Sequence, residues 1–304
     1  MADELDFVGY TGWVDDKEAV ENVVAQLPFK SFAETPAATV SLDAIPQRVA
    51  LWEIAAKVLG QPLPARSQGD VGSCVSFGTA SAVEATMLSE IYLGQLEEYK
   101  DIVQEAIYGG SRVEVGKGKL GRQDGSVGAW AAKWVREWGI LPRGIVAGFD
   151  LTNYSIPLCR TWGAKGVPLD LETESKKHPV METTPVTSWV QAKKCLAQGY
   201  GISICSSRGF TTKRDSEGVC APRGVWEHCM CLLGYKTVGK KEYGWIKNSW
   251  GKYLTGPIAD GDPSDDGFWA AADVIDEDIL RLGDSFAFSG VKGFVARQID
   301  WRTL

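Results

Sequence analysis

The residues in this 304-residue sequence best suited to chemistry are one cysteine, two histidines and the amide side chains near them. Cys74 closes the stretch Q-G-D-V-G-S-C, residues 68–74, just ahead of the small-residue run V-S-F-G-T-A-S-A-V-E-A. The glycines allow close backbone approach, and the run after them reads as a helix. A thiol at a helix N-terminus leans toward thiolate, because the unpaired first-turn N–H groups present positive charge to it. Such a nucleophile needs a base, a group that orients the base, and donors for the oxyanion formed on attack at a carbonyl. The candidate bases are His178 and His228. His178, in S-K-K-H-P-V, reads as an exposed loop residue. His228 opens the strand-like H-C-M-C-L-L-G-Y. Asn248, in W-I-K-N-S-W-G, is placed to orient it, and Gln68 lies six residues before Cys74, close enough to aim its amide back at the thiol.

The elements that must position these groups change character along the chain. An amphipathic helix is expected over residues 15–27 and a Pro/Ala/Thr linker over 28–39, followed by a helix over 45–61 ended by Gly60 and Pro62. The longest helix starts at about Cys74. Residues 115–125 form a polar, glycine-rich loop, and 126–140 another helix with Trp130, Trp134 and Trp138 on one face. Residues 200–207, 228–238, 242–250 and 267–275 read as strands separated by Gly, Asp and Pro. A helical first part and a β-rich last third describe an α+β chain with two unlike lobes.

On these motifs the chain resembles the papain-like cysteine peptidases (papain/cathepsin type). Gln68, Cys74, His228 and Asn248 stand in the family's order, with N-S-W-G intact and G-Y following the histidine, and the likeness runs over residues 45–275. The resemblance implies a two-lobed fold, the helical lobe (about 45–150) carrying Cys74 and the β-barrel-like lobe (about 180–290) carrying His228 and Asn248. It implies that Cys74 is the nucleophile and His228 the base and acid. Asn248 orients His228, Trp250 covers that hydrogen bond, and the Gln68 side chain with the Cys74 N–H forms the oxyanion hole. Gly125 falls near the glycines that line the substrate cleft. The implied activity is hydrolysis of peptide bonds through a Cys74 thioester. Other readings are a non-catalytic papain-fold module within an assembly, or an amidase acting on a non-protein amide. Val71 stands where the family has a bridging cysteine and Val75 where it has tryptophan. Residues 1–44 are shorter than the family's helical pro-segment, and are expected to anchor the chain to an assembly partner rather than to inhibit it.

Composition narrows the partners. A net charge of −7 without a basic run argues against nucleic acid and anionic membranes, leaving a peptide or protein substrate. No cationic-then-apolar leader and no span of transmembrane length is visible, which together with seven cysteines, an odd number, points to a reducing, cytoplasmic setting without disulfides. No cofactor is called for. Cys229 and Cys231 flank His228, but alternation along a strand turns them away from it, so no metal is expected there. The acidic run at 260–267 reads as a solvated loop, with calcium the alternative.

Overall fold

The computed structural model describes residues 10–95, 98–258 and 266–304. Asp16 opens helix α1 (Lys17–Val24) by accepting the Ala19 N–H at 3.0 Å, the usual work of an N-cap carboxylate. The apolar face of α1 docks on this same chain, with Ala19, Val23 and then Leu27 buried. Residues 28–39 are not the linker expected. They form two short 3₁₀ turns in which Phe32 and Ala37 are wholly buried. Phe32 meets Tyr200 and Phe294 edge to face, with centroids 6.3 and 6.0 Å away. The low local propensity of the segment is outweighed by this tertiary burial.

The helix expected over 45–61 divides in two. Strand β1 (Arg48–Ala50) pairs with a later strand, and only then does helix α2 (Leu51–Leu59) begin, ending at Gly60 with φ +69°. Helix α3 (Cys74–Tyr92) is buried on almost every side, which its nearly all-round small and apolar sequence requires. Helices α4 (Gln104–Gly110) and α5 (Gly128–Trp138) follow. The short hairpin β2 (Ile145–Val146) and β3 (Phe149–Asp150) precedes α6 (Ile156–Lys165) and α7 (Leu169–Ser175). Trp130 and Trp134 are core residues, and Trp138 stacks on Trp134 at 4.8 Å. Helix α1 lies against α5.

The second half builds an antiparallel sheet from β4 (Glu182–Pro185), β5 (Ile202–Phe210), β6 (Pro222–Val238), β7 (Lys241–Lys247), β8 (Gly267–Ala271) and β9 (Phe286–Ser289), with α8 (Trp189–Ala197) after β4. Their order is β4-β9-β5-β6-β7-β8, and β1 joins the far stretch of the long β6. The strand expected over 267–275 stops at Ala271, where α9 (Ala272–Asp278) takes over. Helix α3 packs against β5 and β6, so the helical and β-rich parts meet along that helix. Among the described residues no helix is long and apolar enough to cross a membrane.

Candidate active site

Cys74 occupies the first position of α3, where its N–H has no helical carbonyl to reach. A tight turn delivers it: Ser73 N–H donates to Val71 O at 2.8 Å, and Gly72 N–H donates to Asp124 at 2.7 Å. One turn further on, Gly78 lies against β6. A Cβ there would stand 2.8 Å from both the Cys229 sulfur and the Met230 carbonyl oxygen. The missing side chain lets α3 lie directly on the strand that carries His228.

His228 donates from Nε2 to Asn248 Oδ1 at 2.6 Å. Its other ring nitrogen, Nδ1, is buried without a partner. The bond to a carbonyl oxygen requires a proton on Nε2, so the neutral ring presents Nδ1 as its basic lone pair. Asn248 is fixed in turn, donating from Nδ2 to the Tyr253 hydroxyl at 2.9 Å and accepting the Ser249 N–H at 2.7 Å. Trp250 covers the pair, its ring 4.5 Å from the imidazole. Gln68 Nε2 donates to Val71 O at 2.8 Å and its Oε1 accepts from Ser249 Oγ at 2.7 Å. Val71 O only accepts, which fixes the amide orientation and leaves Nε2 a second N–H to give. His228, Asn248 and Gln68 are thus linked through Ser249, and Cys74 heads the helix that packs against the strand carrying His228.

The loops holding them are tied to one another. Ser67 bridges Trp250, Gln68 N–H donates to Ser249 O at 2.8 Å, and Gly251 N–H donates to Arg66 O at 2.8 Å. Arg66 then grips Glu84 of α3 through both carboxylate oxygens, at 2.9 and 3.0 Å, and Asp101 at 2.7 Å. Burial pushes Glu84 up to about 7 despite the guanidinium. No motif singles out Glu84, although it is one of only two acids, with Glu90, in this otherwise small and apolar helix. Asp124 carries no such signal.

The site is covered by its own chain. Gly12 and Trp13 N–H both donate to Glu227 O, at 2.9 and 3.0 Å, beside His228. Across the cleft Val14 N–H donates to Ser126 O at 2.9 Å, and Ser126 N–H to Gly12 O at 2.8 Å, making a parallel bridge at Trp13. Trp250 Nε1 donates to Tyr10 O at 2.8 Å. Gly125 takes φ +105°, and any Cβ on it would strike the Gly12 carbonyl. Cys74 and His228 are both fully buried. Residues 1–44 carry the expectation of an anchoring role over an inhibitory one; of those described, 10–14 hydrogen-bond beside the site, and Ala19, Val23, Leu27, Phe32 and Ala37 are buried in this chain's own core. In this covered form burial disfavours charge on both groups. Burial above all drives the Cys74 thiol well up, against the pull of the Cys229 and Val75 N–H groups. Burial likewise lowers His228 to about 4, against the Asn248 hydrogen bond.

His178 is half-buried rather than exposed, at the turn after α7. Cys229 pairs across the sheet with Cys205 and Cys231 with Ser203, and all seven cysteines are buried thiols. Among the described residues no group of His, Cys, Asp or Glu side chains could hold a metal ion. The acidic run at 260–267 lies outside the described residues except for Asp266 and Gly267. Asp266 pairs with buried Lys247.

The fold is that of the papain-like cysteine proteases. The chain is similar over 94% of its length, and 96% of the other's, to xylellain, a cysteine protease from Xylella fastidiosa, with a TM-score of 0.57 and 16% identity. Trypanosoma congolense procathepsin B is similar at 0.55 and 13% identity, covering 93% of this chain and 86% of that one. Digestive procathepsin L 3 of Tenebrio molitor is similar at 0.53 and 14% identity, over 92% and 82%. No protein-family model matches the sequence, and no curated protein matches it.

Proposed function

We propose that this chain is a thiol peptidase whose site is closed by its own residues 10–14. The observation that carries the reading is the buried imidazole of His228, held through Nε2 by Asn248 while Nδ1 stands unpartnered on the strand that packs against the cysteine-bearing helix. Once 10–14 withdraw and water enters, the desolvation that keeps both groups neutral is relieved. Nδ1 then takes the Cys74 proton, and the sulfur attacks the substrate carbonyl carbon. The oxyanion receives the Cys74 N–H and the spare Gln68 N–H. His228 passes its proton to the departing amine, leaving a Cys74 thioester. A water gives its proton to Nδ1 and attacks the thioester, releasing the acid and the free thiol. Trp250 shields the histidine–asparagine bond, and Gly125 and Ser126 offer the backbone edge along which a peptide substrate lies, as residues 12–14 do now. Two of the similar structures are proforms by name, procathepsin B and procathepsin L 3, in keeping with a covered state. The test is hydrolysis of a mixed peptide library by the full chain carrying Gly12→Val, which sets a Cβ against the Gly72 carbonyl and displaces the covering segment. Turnover that is lost in Gly12→Val/Cys74→Ala supports the reading. Hydrolysis that persists without the thiol overturns it.

A further inference from the structure

Toward its C-terminus, one face of α3 borders a cavity instead of another element. Val83, Met87 and Glu90 stand at i, i+4 and i+7, on one side of the helix. Opposite them are Ile140, Val180 and Phe288, and the space between holds about 350 Å³. That is the lower end of the range for small-molecule sites. All six residues are buried. The polar groups on the inner wall are mostly satisfied. Thr86 Oγ donates to Ala82 O at 3.0 Å and accepts the Gly201 N–H at 2.9 Å, and Ser289 Oγ donates to Val291 O at 2.6 Å. Glu90 differs. It is 1% exposed, and its Oε1 accepts the Gly290 N–H at 3.0 Å and a bond from Arg297 Nη2. Among the described residues no donor reaches Oε2. Gly290 keeps that oxygen clear, because a Cβ there would strike it.

The charges around Oε2 decide what kind of donor fits. Arg297, itself buried and stacked on the Tyr200 ring at 4.1 Å, already neutralises Glu90. At the mouth Lys100 pairs with Glu98 at 2.5 Å and Lys177 with Glu174 at 2.7 Å. Burial first, then Lys100, lowers His178, so its ring is neutral at pH 7. The cavity is therefore balanced in charge. A carboxylate would meet Oε2 with no proton to give. An ammonium would carry an uncompensated charge into an apolar space beside Arg297. A hydroxyl gives Oε2 a charge-assisted bond and adds no charge. We propose that this cavity binds a small apolar alcohol or phenol, whose hydroxyl donates to Glu90 Oε2 while its body lies against Met87, Ile140, Val180 and Phe288. The site is separate from the peptidase reading. None of Gln68, Cys74, His228 and Asn248 lines it, and Glu90 lies about 24 Å along α3 from Cys74 at 1.5 Å per residue.

Equilibrium dialysis of the full chain at pH 7 tests it, with four probes that share one body: 2-naphthol, 2-methoxynaphthalene, 2-naphthoate and 2-naphthylmethylammonium. 2-Naphthol should bind about tenfold or more tighter than its methyl ether, the size of one hydrogen bond to a charged group. It should exceed both charged probes by at least as much. Val180→Phe places a ring in the cavity and should abolish 2-naphthol binding while thermal unfolding stays cooperative. Glu90→Gln keeps an acceptor for Gly290 and Arg297 and turns an N–H toward the cavity. 2-Naphthol should then lose its advantage over the methyl ether. If one variant does not fold, the other locates the site, and the wild-type series alone decides the class of ligand. No binding of 2-naphthol below about 1 mM, a methyl ether or charged probe that binds as tightly, or 2-naphthol binding untouched by a folded variant would each overturn the proposal.

Discussion

Gly12→Val tests whether the covering segment is a true barrier. Residues 10–14 make six hydrogen bonds that vanish when the segment leaves: two to Glu227, two with Ser126, one from Trp250 and one to Asp284. At about 1 kcal/mol net for each, they contribute about 6 kcal/mol. Burial of the indole adds about 3 kcal/mol. Holding five residues in one conformation costs about 1.5 kcal/mol each, which leaves the closed form favoured by about 1–2 kcal/mol. The wild-type site is then open between about a sixth and a thirtieth of the time, since 1.4 kcal/mol is a factor of about ten. A valine at residue 12 has no room, because its Cβ would overlap the Gly72 carbonyl, so the closed form is lost outright. Iodoacetamide should therefore label Cys74 about 6- to 30-fold faster in Gly12→Val than in wild type, as those energies imply. Tryptic mapping of the alkylated chain identifies the site, and limited proteolysis near residue 10 shows that the segment has moved. If the segment is demonstrably displaced and Cys74 labels no faster, covering is not what restrains the thiol.

Other expected outcomes rest on the same contacts. In the uncovered protein, Gln68→Ala should lower kcat by about 10²–10³-fold with little change in KM, as loss of one oxyanion donor does; an unchanged kcat removes Gln68 from the mechanism. Phe32→Ala should destabilise the fold by about 3–5 kcal/mol, measured by urea unfolding, because Phe32 is a core residue and not part of a linker; a loss below about 1 kcal/mol, the size of an ordinary point substitution, would contradict that. Stability against pH should separate two buried groups. His228, lowered from 6.5 to about 4, contributes stability that is present above pH 6.5 and is lost as pH falls through 4. Asp284, raised from 3.8 to about 6, contributes stability that is present below 3.8 and is lost as pH rises through 6. The two terms oppose each other between pH 6 and 4, so Asp284→Asn should steepen the acid loss there by up to about 1.4 kcal/mol per pH unit. Identical slopes in the two proteins would refute the assignment.

Much of the site is legible in the sequence because its chemistry is written in residue types at fixed spacing. Gln68, Cys74, His228 and Asn248 can each be picked out from residue type and order alone; the fold links Gln68, Asn248 and His228 by hydrogen bonds through Ser249 and sets Cys74 at the head of the helix packed against the His228 strand. Helix α3 is legible because a 19-residue run of small and apolar residues without proline reads as a helix, and the middle strands because they are apolar runs bounded by turn residues. What stays hidden depends on partners far away in sequence. β1 looks helical because Q-R-V-A runs into a good helix former, and only pairing with β6 makes it a strand. Residues 28–39 look loose because nothing local reveals that Phe32 fits between Tyr200 and Phe294. Asp284, in R-L-G-D-S-F, has no pattern around it. Its importance comes from α5 and Trp13, 155 and 271 residues away.

The hidden part changes how the legible part works. Taken alone, cysteine and histidine at a helix end suggest a thiolate waiting for substrate. A charged pair needs water or fixed dipoles around it, and residues 10–14 exclude the water while offering their own N–H groups to Glu227 and Ser126, not to the sulfur. On the proposed peptidase reading, enclosure would restrain the site twice, by occupying the backbone edge where a substrate would lie and by making the charged state of the thiol costly. Both restraints are released by one movement, because the same five residues supply them.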